Sequence, residues 1–216
     1  MSFTEELRLA AGDQWDRVIG HKFTKELATG TIDRTVLQRY LIQDHRFLDS
    51  FVILLASIIA NARKLDDRIP GCSFLATITG TENTYFERSF QALGVSEVER
   101  ASIPDATCTV GFCNLMKDVA FHGTLAEMLA VIVVCEWSYQ SWGQIVSNET
   151  VRDDFVCYEW VDLHSGESFD AVVRYLRTLL DKEAAYLNEE EKSKCRERFL
   201  NAIQLEEDFF NYAYNS

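Results

Sequence analysis

Between Asp33 and Lys64 apolar residues return every three or four positions, at Val36, Leu37, Tyr40, Leu41, Phe47, Leu48, Phe51, Val52, Leu55 and Ile58. This is the period of an amphipathic helix, and Asp33 stands where an N-cap belongs. One helix of about 30 residues is expected there. The same period marks 3–19, 74–93, 109–121, 124–146, 168–187 and 188–214, set apart by Gly20, Gly30, Pro70-Gly71, Gly94, Pro104, Gly123 and Asn148. No alternating pair of segments is joined by an Asn-Gly or Asp-Gly turn, and there is no fixed repeat or low-complexity tract. The segment 124–146 is apolar around most of its circumference, whereas 170–187 carries a charged face. The expected architecture is all-α, a bundle of seven or so helices with a buried central helix, in a single domain spanning 1–216.

Composition narrows this further. A chain of 216 residues with 47% hydrophobic and 25% charged side chains can bury a sizeable core, which excludes disorder as a global description. The formal net charge of −13 repels phosphate backbones and anionic headgroups, so neither nucleic acid nor a membrane surface is an expected partner. The most apolar stretch, Leu125 to Val134, contains Glu127 and is too short to span a bilayer, and the first residues lack the pattern of a signal peptide. The six cysteines, at 72, 108, 113, 135, 157 and 195, show no CxxC spacing and read as free thiols. A soluble cytoplasmic protein is expected.

Several chemistries find no motif. None of His21, His45, His122 or His164 follows a Glu by three residues, as a carboxylate-bridged di-iron bundle requires. HExxH, the P-loop, GxSxG and GxGxxG are absent as well. What remains are polar groups on apolar helix faces. Asp44, in Gln43-Asp44-His45-Arg46-Phe47, shares the core-directed face of Tyr40 and Phe47. It is either satisfied structurally, by Arg46 or another helix, or it accepts a hydrogen bond from an amino-bearing ligand. Cys135 and Tyr139, at i and i+4 on the central helix, line one spot, where an inert core thiol and a nucleophile are both open readings. Near the C-terminus Glu206 and Phe209, at i and i+3, point together within Leu205-Glu206-Glu207-Asp208-Phe209-Phe210. Taken singly, each is weak.

In combination these segments resemble the TenA family, known as thiaminase II or aminopyrimidine aminohydrolase. The resemblance runs nearly end to end, through Tyr40-Leu41-Ile42-Gln43-Asp44, Cys135-Glu136-Trp137-Ser138-Tyr139, Trp160-Val161-Asp162 and Leu205-Glu206 with Phe209-Phe210. It implies a heme-oxygenase-like helical bundle without heme or other cofactor, a homotetramer, and a buried pocket for a 4-amino-2-methylpyrimidine. In the branch with a catalytic Cys, the thiolate adds to the ring, the substituent on the exocyclic methylene leaves, water adds there, and the Cys is expelled. Carried onto this chain, Cys135 is the nucleophile, Asp44 holds the ring's 4-amino group, Glu206 handles the ring-nitrogen proton, and Tyr139 stacks on the ring.

Phe47 and Phe112 stand where the family commonly has tyrosine, and His164 where a third tyrosine is common. Together with Phe209 they are expected to line the pocket. Two hydroxyls are lost outright at Phe47 and Phe112, and a buried hydrogen bond left unmade costs roughly 1–3 kcal/mol, while His164 could replace the third hydroxyl by bonding to Glu206. The resulting expectation is an aminopyrimidine hydrolase of thiamin salvage with a small-molecule pyrimidine as partner. The alternatives are a pyrimidine-binding module that has lost turnover and, more remotely, a metal-dependent oxidase.

Overall fold

The computed structural model describes residues 1–215, which form helices and turns with no strand. In chain order the helices are α1 Phe3–Ala11, α2 Asp13–Ile19, α3 Lys22–Ala28, α4 Arg34–Asn61, α5 Leu65–Thr77, α6 Asn83–Leu93, α7 Glu97–Ser102, α8 Thr107–His122, α9 Leu125–Val146, α10 Phe155–Leu163, α11 Glu167–Ala184 and α12 Glu189–Asn215. A π-helical segment, Ile78–Glu82, joins α5 to α6 without a break. A 3₁₀ turn at Ser147–Glu149 ends α9 around the expected Asn148. No helix among the described residues is long and apolar enough to cross a membrane. All six cysteines are free thiols.

The central helix is α9. Thr124 and Glu127 close a capping box at its start, and every residue from Met128 to Tyr139 is buried. Around it pack α2, α3, α4, α8, α10, α11 and α12. The longest partner, α4, begins where the apolar period predicts, with Asp33 Oδ1 accepting the Thr35 N–H at 2.7 Å, a cap worth about 1 kcal/mol. Its middle is braced by the two polar neighbours of Asp44. Gln43 accepts from the Ala106 N–H and the Thr109 hydroxyl at 2.9 and 2.8 Å, which fastens the start of α8 where no local side chain caps it. Arg46 donates to the carbonyls of Arg100 and Ile103 and pairs with Asp105 at 2.8 Å.

Two expected boundaries fall elsewhere, and short helices bring the seven or so expected to twelve among the described residues. The segment 3–19 is two helices, because Gly12 takes φ of +53° between α1 and α2. The glycines at 20 and 30 do bound something, the short helix α3, whose Phe23 and Leu27 are buried. Pro70-Gly71, read as a separator, lies inside α5. A Cβ at Gly71 would lie 2.7 Å from Ile59 Cγ1 and 3.0 Å from the Tyr175 hydroxyl, so this glycine serves close approach to α4 and α11 rather than a turn.

One glycine sets how closely α10 approaches α9. Gly143 of α9 abuts the end of α10, and a Cβ there would lie 2.3 Å from the His164 carbonyl oxygen. Gly143→Ala is expected to lower stability by roughly 1–3 kcal/mol, because backbone must shift to relieve the overlap. Gly80→Ala, where nothing lies within 4 Å of the added atom, is expected to be neutral or stabilising. Thermal melts of the two variants side by side check this.

Candidate active site

Where α4, α8, α9, α12 and the π segment meet, the bundle leaves a small, partly enclosed cavity. All eight residues singled out in the sequence lie on its wall: Asp44, Phe47, Phe112, Cys135, Tyr139, His164, Glu206 and Phe209. The phenylalanines form an apolar side, with Phe47 edge-on to Phe112 at 5.1 Å and to Phe209 at 6.4 Å between ring centroids. No hydroxyl is present on that side.

Cys135 on α9 and Glu206 on α12 face the same cavity and act on each other's protonation. The Cys135 thiol lies 3.6 Å from the Val131 carbonyl. Burial first, then the facing carboxyls of Glu206 and Glu136, push this thiol well above the ordinary cysteine range. At rest it is a thiol and not a thiolate. Burial likewise raises Glu206 to about 8, with the nearby Asp44 adding to the effect, so Glu206 holds a proton at neutral pH.

Asp44 is raised by burial to about 7 and is supported by a hydrogen bond from Tyr40. The hydroxyls of Tyr40 and Tyr139 are 2.5 Å apart. One of these hydroxyls donates to the other, and the Tyr40 hydroxyl opposes part of the rise at Asp44. Tyr139 thus reaches the site through its hydroxyl, while Phe210 stacks on its ring at 6.0 Å. Arg46, which sequence spacing offered as a partner for Asp44, is committed to the 100–105 segment instead.

His164 is buried among Tyr139, Trp142, Trp160 and Phe169. Its Nδ1 lies 2.8 Å from the Trp160 carbonyl and must donate to it. Burial lowers its pKa to about 4, so the ring is neutral and Nε2 carries a bare lone pair. That places a hydrogen-bond acceptor, not a phenolic donor, at this point of the wall.

Two acids that the sequence reading did not assign share the cavity. Glu136 follows Cys135 on α9, and Glu82 ends the π segment, one turn beyond Ile78. Burial, with the other cavity carboxyls adding to it, raises both well above the ordinary range. The signal for Glu82 was present in the sequence: it falls on the four-residue stripe Phe74, Ile78, Phe86, Phe90. Four carboxyls therefore face one cavity, and no Lys or Arg lines it among the described residues. No group of three or more His, Cys, Asp or Glu is disposed to hold a metal ion among those residues.

A carboxyl whose pKa rises on folding favours the folded state fully only below its unfolded value near 4, and that advantage is lost as the pH climbs through the folded value. For Asp44 and Glu206 the loss runs from about pH 4 up to about 7 and about 8. Asp44→Asn and Glu206→Gln are therefore expected to raise Tm relative to wild type at pH 8 and to leave it nearly unchanged at pH 4.5. The gain should be roughly 2–4 °C for each kcal/mol relieved. Equal effects at both pH values would contradict the burial of these acids.

Comparison with known proteins places this geometry. The chain is 27% identical to the aminopyrimidine aminohydrolase of Halalkalibacterium halodurans over 100% of its own length and 96% of that protein's. Its fold superposes on the crystal structure of a TenA homologue from Pyrococcus furiosus with a TM-score of 0.87, at 25% identity, covering 98% of this chain and 100% of that one. Heme oxygenase-1 from the cyanobacterium Synechocystis, in complex with heme, shares the fold at a TM-score of 0.60 and 14% identity, covering 99% and 93% of the two chains. Four carboxyls and no lining Lys or Arg do not suit the anionic propionates of such a group. The model of the TENA/THI-4/PQQC family matches residues 10–216, and the chain belongs to that family.

Proposed function

We propose that the protein is an aminopyrimidine aminohydrolase of thiamin salvage, converting 4-amino-5-aminomethyl-2-methylpyrimidine and water to the hydroxymethylpyrimidine and ammonia. The observation that carries this reading is the Cys135 thiol set against the protonated Glu206 across a buried cavity from Asp44. The relatives' name supports it.

The order of proton movements follows from the charge states. A neutral Glu206 gives its proton to the ring nitrogen, which makes the ring electrophilic, and as a carboxylate it takes the proton of the adjacent thiol. The net result moves the thiol proton to the ring nitrogen with no free thiolate exposed to solvent. The Cys135 sulfur then forms a bond to the neighbouring ring carbon. The lone pair of the 4-amino group next drives out the ammonia, forming an exocyclic methylene and a cationic iminium that Asp44 stabilises as a carboxylate. Water adds to the methylene and releases a proton. As the carbon–sulfur bond breaks, Glu206, holding the former thiol proton, gives it to the departing Cys135 sulfur and as a carboxylate takes back the ring-nitrogen proton. With the substrate amine entering protonated, the leaving ammonia takes the proton released by water, so that one water is consumed and one ammonium is produced.

Thiamin offers the same pyrimidine with a thiazolium in place of the amine, so its slower hydrolysis is a secondary activity of the same site. A homotetramer acting in the cytoplasm completes the reading. Light scattering is expected to return four chain masses in solution, and a single chain mass would remove that part.

The decisive assay incubates wild type, Cys135→Ala and Glu206→Gln with the aminomethylpyrimidine, and separately with thiamin, and follows hydroxymethylpyrimidine by chromatography. Wild type should form product, Cys135→Ala should form none above background, and Glu206→Gln should be slowed by about 10²–10⁴-fold. Product from Cys135→Ala at the wild-type rate would discard the nucleophile. Tight pyrimidine binding with no product from wild type would instead establish a binding protein of the same fold.

A further inference from the structure

The reaction above leaves two of the four cavity acids without a task. Glu136 is 8% exposed and Glu82 9%, and both border the cavity. Neither carboxyl has a hydrogen-bond or ion-pair partner among the described residues, and each is under the influence only of other acids, Asp44 and Glu136 for Glu82, Asp44 and Glu206 for Glu136. An unpartnered buried carboxyl weakens the fold, since nothing replaces the water it has lost. Two of them on one cavity wall call for a ligand that brings what the protein withholds. That ligand must carry positive charge and several N–H donors, and it must be small enough for a space bounded by Phe47, Leu48 and Ile78. A primary alkylammonium meets all three requirements. A thiazolium carries charge without an N–H and is larger.

The pyrimidine's substituent falls in the right sector. With the ring nitrogen at Glu206 and the 4-amino group at Asp44, the carbon bearing the exocyclic methylene is adjacent to the Asp44 side of the ring. Glu82 and Glu136 line the same cavity as Asp44. We propose that Glu82 and Glu136 form an ammonium subsite, which holds the protonated amine on the exocyclic carbon and selects primary-amine leaving groups over the thiazolium of thiamin. This inference rests on the aminopyrimidine reading. The neutral alcohol formed by hydrolysis no longer satisfies the two acids, which favours its departure.

The test compares dissociation constants of the aminomethyl and hydroxymethyl pyrimidines by calorimetry, in a Cys135→Ala background that blocks turnover, with and without Glu82→Gln and Glu136→Gln. The amine should bind at least about tenfold more tightly than the alcohol, and each Gln variant should cut that ratio by about tenfold. Affinity for the alcohol should change less than about threefold, and Tm should stay level or rise, because an unpaired acid has been removed. With Cys135 restored, the ratio of kcat/KM for the amine to that for thiamin should fall in the same variants. Variants that weaken both pyrimidines equally, or neither, overturn the subsite while the pyrimidine reading stands. Failure of the unsubstituted protein to bind either pyrimidine overturns both.

Discussion

A helix shielded on every side cannot offer its polar side chains to water, and α9 is shielded without interruption from Met128 to Tyr139. Each polar group on that stretch must be met by protein or by a ligand. Ser138 is met by the Cys135 carbonyl at 3.2 Å, and Tyr139 by Tyr40. Cys135 finds Glu206 and the Val131 carbonyl, and Glu136 finds nothing. The cavity lies where the wrapping of α9 is unfinished, and its contents decide whether those groups are satisfied. The braces around it are correspondingly rigid. Gln43 and Arg46 tie the middle of α4 to the start of α8, and Gly143 lets the end of α10 sit directly against α9.

Desolvation sets the charge inside that cavity more strongly than any pair of neighbours. It is the largest influence on Asp44, Glu82, Glu136, Glu206 and Cys135 alike. The formal charge of −13 counts all four acids as ionised, and the folded protein at neutral pH is less negative than that. A cation entering the cavity reverses the balance, because each carboxyl that ionises beside it gains an attraction worth far more there than in water. Under the proposed reaction the acids hold protons before binding and act as counter-charges after it, which is the sequence a general acid next to a weakly acidic thiol requires.

Much of this was legible in the residue pattern. Period-3.6 spacing located α4, α9 and α12, the three helices that carry Asp44, Cys135 and Glu206. Burial of Asp44 and Cys135 followed from their place on apolar faces. Two kinds of information were not local. The state of His164 depends on a carbonyl four residues earlier and on four surrounding rings, which spacing along the chain does not reveal. Pro70-Gly71 carries the composition of a break, yet Gly71 answers to side chains of α4 and α11 that only the tertiary fold brings near. Turn chemistry and close packing select the same residue for different reasons.

Glu82 shows how irregular backbone enters the argument. In a regular α-helix, residues four apart drift around the axis by roughly 40° at each step, so a stripe such as Phe74, Ile78, Glu82, Phe86 would wind away from a fixed wall. The wider turn of the π segment opposes that drift, and Ile78 and Glu82 remain together on the cavity while Phe86 and Phe90 return to the core. Such segments are rare because their hydrogen bonding is poorer, and they concentrate at functional sites. Here the irregularity brings in an acid that finds no partner when it arrives. The place of Glu82 on the cavity wall therefore follows from the irregular turn, and regular α-helical spacing would have carried it elsewhere.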